Sequence, residues 1–254
     1  MTVRRLFVAQ LPPEGGALTL PEASAHHLRV LRIREGDSLI LFDGRGGVAS
    51  AEVRALGPRS VVCEVEPPAQ HERARTRIVL MLAVPKGAKL DECVRMATEL
   101  GVDEVALMRT ERTVPRWDQA RASSRVERLT RIASEAAAQC ERSEVPWVHP
   151  PRSCREWLDS LPAAATGVVF GARAQGQLGM LDGSAEQVWC AIGPEGGFTD
   201  AEMADFLAKD FSVVSLGPWV LRVDTAVAAG LTLVQDRMYR GPGSVDIGGA
   251  STPP

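Results

Sequence analysis

The chain has 254 residues, 45% of them hydrophobic and 24% charged, an ordinary globular composition with room for one large or two modest domains. A net charge of −3 excludes a global nucleic-acid footprint, and no apolar run approaches the roughly 18 residues of a membrane span. The five cysteines (Cys63, Cys93, Cys140, Cys154, Cys190) are odd in number and form no CxxC pair, so neither a metal site nor a disulfide framework is expected, and a reducing cytosol fits.

The N-terminal stretch has no long apolar region and does not read as a secretory signal, so a cytoplasmic location is expected. Residues 1–70 read as a small β-domain of barrel type. A strand over 39–42 runs into Asp43-Gly44-Arg45-Gly46-Gly47, a strong turn signal, and 48–53 alternates as the returning strand. Val61-Val62-Cys63-Glu64-Val65 is a further strand, and 21–28 a short helix. The proline-led polar stretch 67–76 reads as a linker.

From Arg77 the pattern changes to alternating strands and helices, the mark of a parallel α/β sheet. Residues 78–84 form a continuous apolar run, as in a buried parallel strand. Leu90, Cys93, Val94, Ala97 and Leu100 have helical spacing, with Gly101 as the stop, and 102–108 is the next strand. Val126, Leu129, Ala133, Ala136 and Cys140 mark a long helix, ended by Val145-Pro146; Cys93 and Cys140 are expected in the core. Thr199 with Glu202 forms a capping box opening a helix through Ala208. A last helix spans 223–239, and the Gly, Ser and Pro-rich tail 241–254 reads as disordered.

Three glycine-bearing loops follow short apolar runs in this half: Phe170-Gly171-Ala172-Arg173, Gly193-Pro194-Glu195-Gly196-Gly197-Phe198 and Leu216-Gly217-Pro218-Trp219-Val220-Leu221-Arg222. The carboxyl ends of strands form the ligand crevice of an open α/β sheet, and glycine there lets a ligand approach the backbone. One site built from backbone groups is therefore expected. The Rossmann and P-loop fingerprints are both missing. Taken alone, Gly193-Pro194-Glu195-Gly196-Gly197 also reads as a tight strand-to-helix turn. A second local feature is basic: seven arginines (109, 112, 116, 121, 125, 128, 131) stand against Glu111, Asp118 and Glu127. It reads either as a phosphate-contacting surface or as a solvated helix face.

The C-terminal half resembles the SPOUT-class RNA methyltransferases of the RsmE type. The stretches that carry the resemblance are Thr98-Glu99-Leu100-Gly101-Val102, Glu111-Arg112-Thr113, residues 135–142 with Pro146, Ile192 through Phe198, and Leu216 through Ala226. The N-terminal half is similar to the PUA-like domain of that family in Arg5-Leu6-Phe7, His26 through Arg32, Gly36-Asp37 and Asp43-Gly44. The chain departs from the family at Trp219 (usually arginine), Asp224 (usually glutamate) and Arg95 (often lysine).

The resemblance implies a trefoil-knotted parallel sheet over 71–240 and a homodimer with each site completed by the partner chain. It implies S-adenosylmethionine as cofactor and methylation of uridine N3 in 16S ribosomal RNA, within the assembled small subunit, without a metal. The cofactor is a sulfonium with an adenine and no phosphate, which suits a backbone-lined pocket; Phe170, Gly171, Ile192, Gly193, Gly196, Leu216, Gly217 and Leu221 are its candidates, the apolar ones reading equally as core. Arg222 is the candidate to stabilise the uridine anion left when the N3 proton departs, or it pairs with Asp224 or Glu195. Glu195 is a candidate general base, or it holds the glycine loop. Arg109, Arg112, Glu135, Gln139 and Arg142 are candidates for the RNA side of the cleft, as are Arg5, Phe7, His27, Arg29 and Arg32 in the first domain. A non-catalytic RNA-binding protein of the same fold is the alternative that Trp219 and Asp224 keep open; an α/β enzyme of another nucleotide is a third.

Overall fold

The computed structural model describes residues 4–70, 76–115, 117–163, 165–171 and 185–240. Residues 71–75 of the linker, Arg116, Ala172, Arg173 and the tail 241–254 lie outside these. The chain divides into two compact units, Met1–Ala74 with Glu127–Trp147 and Arg75–Val126 with Val148–Pro254. Beside the break near residue 70 read from the sequence, the first unit thus takes in a second, later segment.

The first unit begins with β1 (Arg4–Phe7), β2 (Gly16–Leu20), α1 (Glu22–Val30), β3 (Ser38–Phe42), β4 (Gly47–Leu56), β5 (Val61–Val65) and β6 (Ala69–Gln70). The strands pair in the order β1-β3-β4-β5-β2, with β6 also on β4. β1 runs parallel to β3, and the other pairs are antiparallel. Alternate residues of β3, β4 and β5 join Leu20 and Leu28 in one core. At the β3–β4 turn, Asp43 Oδ1 accepts the amides of Arg45 (2.8 Å) and Gly47 (2.9 Å). Gly44 and Gly46 adopt φ of +73° and +98° there, which glycine takes without penalty. β6 uses residues that the sequence assigns to the linker.

The chain continues through β7 (Arg77–Ala83), α2 (Lys89–Glu99), β8 (Glu104–Arg109) and α3 (Gln119–Gln139). α2 stops as Gly101 dictates: at φ +74° the Gly101 amide donates to the Thr98 carbonyl and the Val102 amide to that of Ala97, satisfying the last carbonyls of the helix. α3 ends at Gln139 by the same geometry without a glycine. Glu141 takes φ +63° and the Arg142 amide donates to the Ala137 carbonyl at 2.9 Å. Pro146 is therefore not the stop, and Cys140, expected in the core, is half-buried. Residues 143–145 are instead stitched to the β3–β4 turn, Val145 N–H to Gly44 O (3.0 Å) and Gly46 N–H to Ser143 O (3.2 Å).

Next come β9 (Trp147–Ser153), α4 (Cys154–Asp159), β10 (Thr166–Phe170), β11 (Gln187–Ile192), α5 (Asp200–Leu207), β12 (Ser212–Val214) and α6 (Val223–Arg240). The sheet order is β12-β10-β11-β7-β8-β9. β9 escapes a sequence reading because it contains Pro150 and Pro151, which a sheet tolerates at its edge. All but the first residue of β7 are buried, as a central parallel strand requires. Under the sheet, Phe206 packs edge-on against Phe198 and tilted against Phe211. α5 opens on the Thr199–Glu202 capping box, and α4 on a second one between Ser153 and Glu156. Among the described residues no helix is long and apolar enough to cross a membrane.

Candidate functional site

The three glycine loops leave neighbouring strands at one level of the sheet. β10 lies between β11 and β12, all parallel, and Phe170 is level with both Ile192 and Val214. The chain therefore turns out of all three strands along one line, and the Gly171 amide ties back to the Val214 carbonyl at 3.0 Å. A cleft of about 690 Å³ opens there, within the range of small-molecule sites. Phe170, Gly171, Ile192, Gly193, Gly196, Leu216 and Leu221 line it, as does Glu195. Gly217 and Arg222 do not. Gly217 serves the backbone instead: it takes φ +123° and its amide donates to Ser215 Oγ. Sequence reasoning passed over Pro194, Gly197, Phe198, Val213, Trp219 and Val220 as cleft walls. All but Val213 lie inside the glycine-bearing loops quoted above, and that proximity is the signal that could have found them.

The structure gives the glycines of the 193–197 loop a further reason to be there. A Cβ at Gly193 stands 3.1 Å from the Phe198 ring, and one at Gly196 stands 3.2 Å from Cδ of Arg112. Both glycines thus make room for the protein's own side chains as well as for a ligand. Gly197 takes φ +67°, the left-handed region.

Arg112 sits against this loop. Its Nη1 donates to the carbonyls of Gly196 (2.7 Å) and Phe198 (3.2 Å), so its guanidinium braces the cleft wall. Two carboxylates reach out from the same region: Glu202 accepts the Glu111 amide at 2.9 Å, and Glu195 accepts the Lys86 amide at 3.2 Å. Glu195 is thereby engaged in holding the loop that follows β7. Arg222 is exposed, directly after Leu221 in the cleft wall, and among the described residues no carboxylate pairs with it. Asp224 pairs with Lys89 at 3.2 Å, joining the first turns of α6 and α2. Desolvation pulls the Asp224 carboxyl up, but hydrogen bonds from Lys89 and from the Asp224 and Thr225 amides outweigh it, and the pKa lies below its ordinary value. Trp219 and Val220 are 77% and 75% exposed at the cleft mouth.

The remaining RNA candidates fall into separate groups. Arg5 lies over the Phe42 ring and donates to the Arg142 carbonyl at 3.3 Å, so it fastens the 142 turn to β1. Phe7 packs edge-on to Phe42 at 5.8 Å. Arg142 approaches Glu144 at 4.0 Å. His27, Arg29 and Arg32 are exposed along α1 and the turn after it, with Arg29 Nε on the Ala25 carbonyl. Gln139 is exposed at the end of α3, Glu135 pairs with Arg131 at 3.9 Å, and Arg109 stands 3.9 Å from Glu156. Arg125 lies 6.0 Å over the Trp117 ring. Among the described residues no group of His, Cys, Asp and Glu could hold a metal ion. The lining suits a group such as S-adenosylmethionine: apolar walls, glycine positions with no side chain between backbone and cleft, and an arginine turned to the protein rather than to a phosphate.

A family model described as an RNA methyltransferase domain matches residues 72–235, and one described as an RNA methyltransferase PUA domain matches 20–66. The chain is 32% identical over 236 residues to ribosomal RNA small subunit methyltransferase E of Synechocystis sp., covering 91% of this chain and 76% of the relative. It is 29% identical to the protein of that name in Bacillus subtilis, covering 90% and 94%. Among solved structures it is similar to ribosomal RNA small subunit methyltransferase E from Neisseria gonorrhoeae bound to S-adenosyl methionine, with TM-score 0.85, 28% identity, and 92% and 97% coverage.

Proposed function

This chain belongs to the RNA methyltransferase family of ribosomal RNA small subunit methyltransferase E, and on that premise we propose that it methylates N3 of a uridine in 16S ribosomal RNA. It is an S-adenosylmethionine-dependent ribosomal RNA methyltransferase. The observation that carries the finer reading is the convergence of three glycine-bearing loops on one cleft, with an arginine at its margin that no carboxylate pairs with among the described residues.

When bound, S-adenosylmethionine supplies an electrophilic methyl group on a sulfonium. Phe170, Ile192, Leu216 and Leu221 offer it apolar walls, and at Gly171, Gly193 and Gly196 no side chain stands between the backbone and the cleft. Arg112 keeps the glycine loop in shape through the Gly196 and Phe198 carbonyls. N3 of uracil carries a proton and has no free lone pair, so it attacks only once that proton has left. Arg222 is the residue assigned to favour the resulting anion, by presenting its guanidinium to the flanking carbonyl oxygens. Its exposure, with no carboxylate paired to it among the described residues, leaves it available for this. The Lys86 contact of Glu195 favours a holding role over that of general base.

Exposed His27, Arg29, Arg32 and Gln139 in the first unit, and Arg109 with the α3 arginines, are proposed to hold the RNA backbone. A homodimer acting on the assembled small subunit in the cytoplasm completes the reading, and the exposed Trp219 and Val220 suit burial against a second copy.

The test incubates the purified protein with S-adenosylmethionine and small subunits from a strain lacking the endogenous enzyme, followed by nucleoside mass spectrometry. Appearance of 3-methyluridine is expected; a different methylated nucleoside overturns the assignment of the atom. Cofactor binding without any methyl incorporation supports the non-catalytic alternative.

A further inference from the structure

Gly230 occupies the middle of α6, and its backbone gives no reason for a glycine. Its φ lies outside the left-handed region, and glycine in a helix interior is less stable than alanine. The reason lies across the helix surface. A Cβ at Gly230 stands 2.8 Å from Cε2 of Phe170, closer than real Cβ atoms come to another carbon, and a tight 3.1 Å from its Cδ2 and Cζ. Phe170 ends β10 and lines the cleft. Its ring is therefore seated in the notch that the missing side chain leaves.

We propose that Gly230 is a positioning residue for the cofactor cleft, holding Phe170 back against α6 so that the space beside Gly171 and Ile192 stays open. The packing around the ring is uneven. Its strand neighbours Ile192 and Val214 are 3% and 2% exposed, and Val227 and Leu231, close to Gly230 along α6, are fully buried, so close packing on those sides resists displacement of the ring more than the cleft does. The open volume beside Phe170 is the cleft itself. A side chain at 230 thus transmits its bulk through the Phe170 ring into the ligand's space, although Gly230 is not among the residues that line the cleft.

The inference rests on the reading that this cleft binds S-adenosylmethionine, so calorimetry on the unaltered protein comes first; no binding there refutes that reading and not the packing argument. Gly230→Ala is expected to weaken S-adenosylmethionine binding about tenfold and to raise its KM with kcat largely kept. Thermal stability is the control, because alanine by itself favours the helix. Phe170→Val removes every ring atom that approaches Gly230. In that background, adding Gly230→Ala is expected to change the dissociation constant less than twofold. An equal loss of affinity with and without the Phe170 ring overturns the proposal, as does a Gly230→Ala protein that folds and binds the cofactor as tightly as the original.

Discussion

Replacing Arg112 by alanine removes both hydrogen bonds that brace the 193–198 loop, at 2.7 Å to the Gly196 carbonyl and 3.2 Å to that of Phe198. A hydrogen bond to a charged group contributes about 1.5–3 kcal/mol in a protected setting. Arg112 is exposed, so water competes for both partners and the pair together contributes about 1–2 kcal/mol. Without the brace, this free energy is spent in ordering the loop when the ligand binds. At about 1.4 kcal/mol per tenfold, S-adenosylmethionine affinity is expected to fall roughly 5- to 30-fold. Arg112→Lys, which offers one flexible ammonium in place of a planar fork, is expected to fall between the two. Titration calorimetry on folded variants reads this directly. The same measurement separates the two roles open to Arg112. A variant with unchanged cofactor affinity but weakened RNA binding refutes the bracing argument and returns Arg112 to the RNA surface.

Three further outcomes follow from the geometry. Arg222→Ala is expected to lower methyl transfer on the order of a hundredfold with cofactor affinity intact, as for loss of a transition-state donor; unchanged turnover removes Arg222 from the mechanism. Thr199→Ala breaks the α5 capping box and is expected to cost about 1 kcal/mol, seen as a fall of about 2–4 °C in thermal midpoint. The third outcome concerns pH. The hydrogen bond from His149 at 2.7 Å, with Arg77 nearby, holds the Glu104 carboxyl below its ordinary value of 4.5 against the opposing effect of burial. A depressed carboxyl stabilises the fold above the unfolded value and loses that contribution as pH falls through the folded one. Thermal midpoints measured from pH 6 down to pH 3 are therefore expected to drop less steeply in Glu104→Gln than in the unaltered chain; parallel curves refute the linkage.

The strongly periodic parts of the chain were legible in advance. The buried run of β7, the glycine stop of α2 and the Thr199–Glu202 box each rest on local physics: strand burial on both faces, a residue free to take positive φ, and a hydroxyl within reach of an orphan amide. Local physics also misleads where a tertiary partner intervenes. Glu141 adopts a left-handed conformation that its side chain does not announce, and the next residues are held by the β3–β4 turn. β9 carries two prolines because it sits at a sheet edge, a position no single segment can declare. Arg112 belonged to a basic stretch by composition, and only the fold turns its guanidinium onto the glycine loop.

The sequence by itself determined that three strands end in glycine-bearing loops, because turn chemistry and apolar runs are written in neighbouring residues. It also carried motifs specific enough to name the family. That the three loops meet was decided by the order β12-β10-β11, which sets Phe170, Ile192 and Val214 level across the sheet although they are well separated along the chain. The crowding at Gly193, Gly196 and Gly230 was decided there too, a Cβ at each coming within 3.1, 3.2 and 2.8 Å of Phe198, Arg112 and Phe170. Close packing between distant segments leaves no trace in local propensity, so the shape of the cleft is a property of the tertiary structure alone.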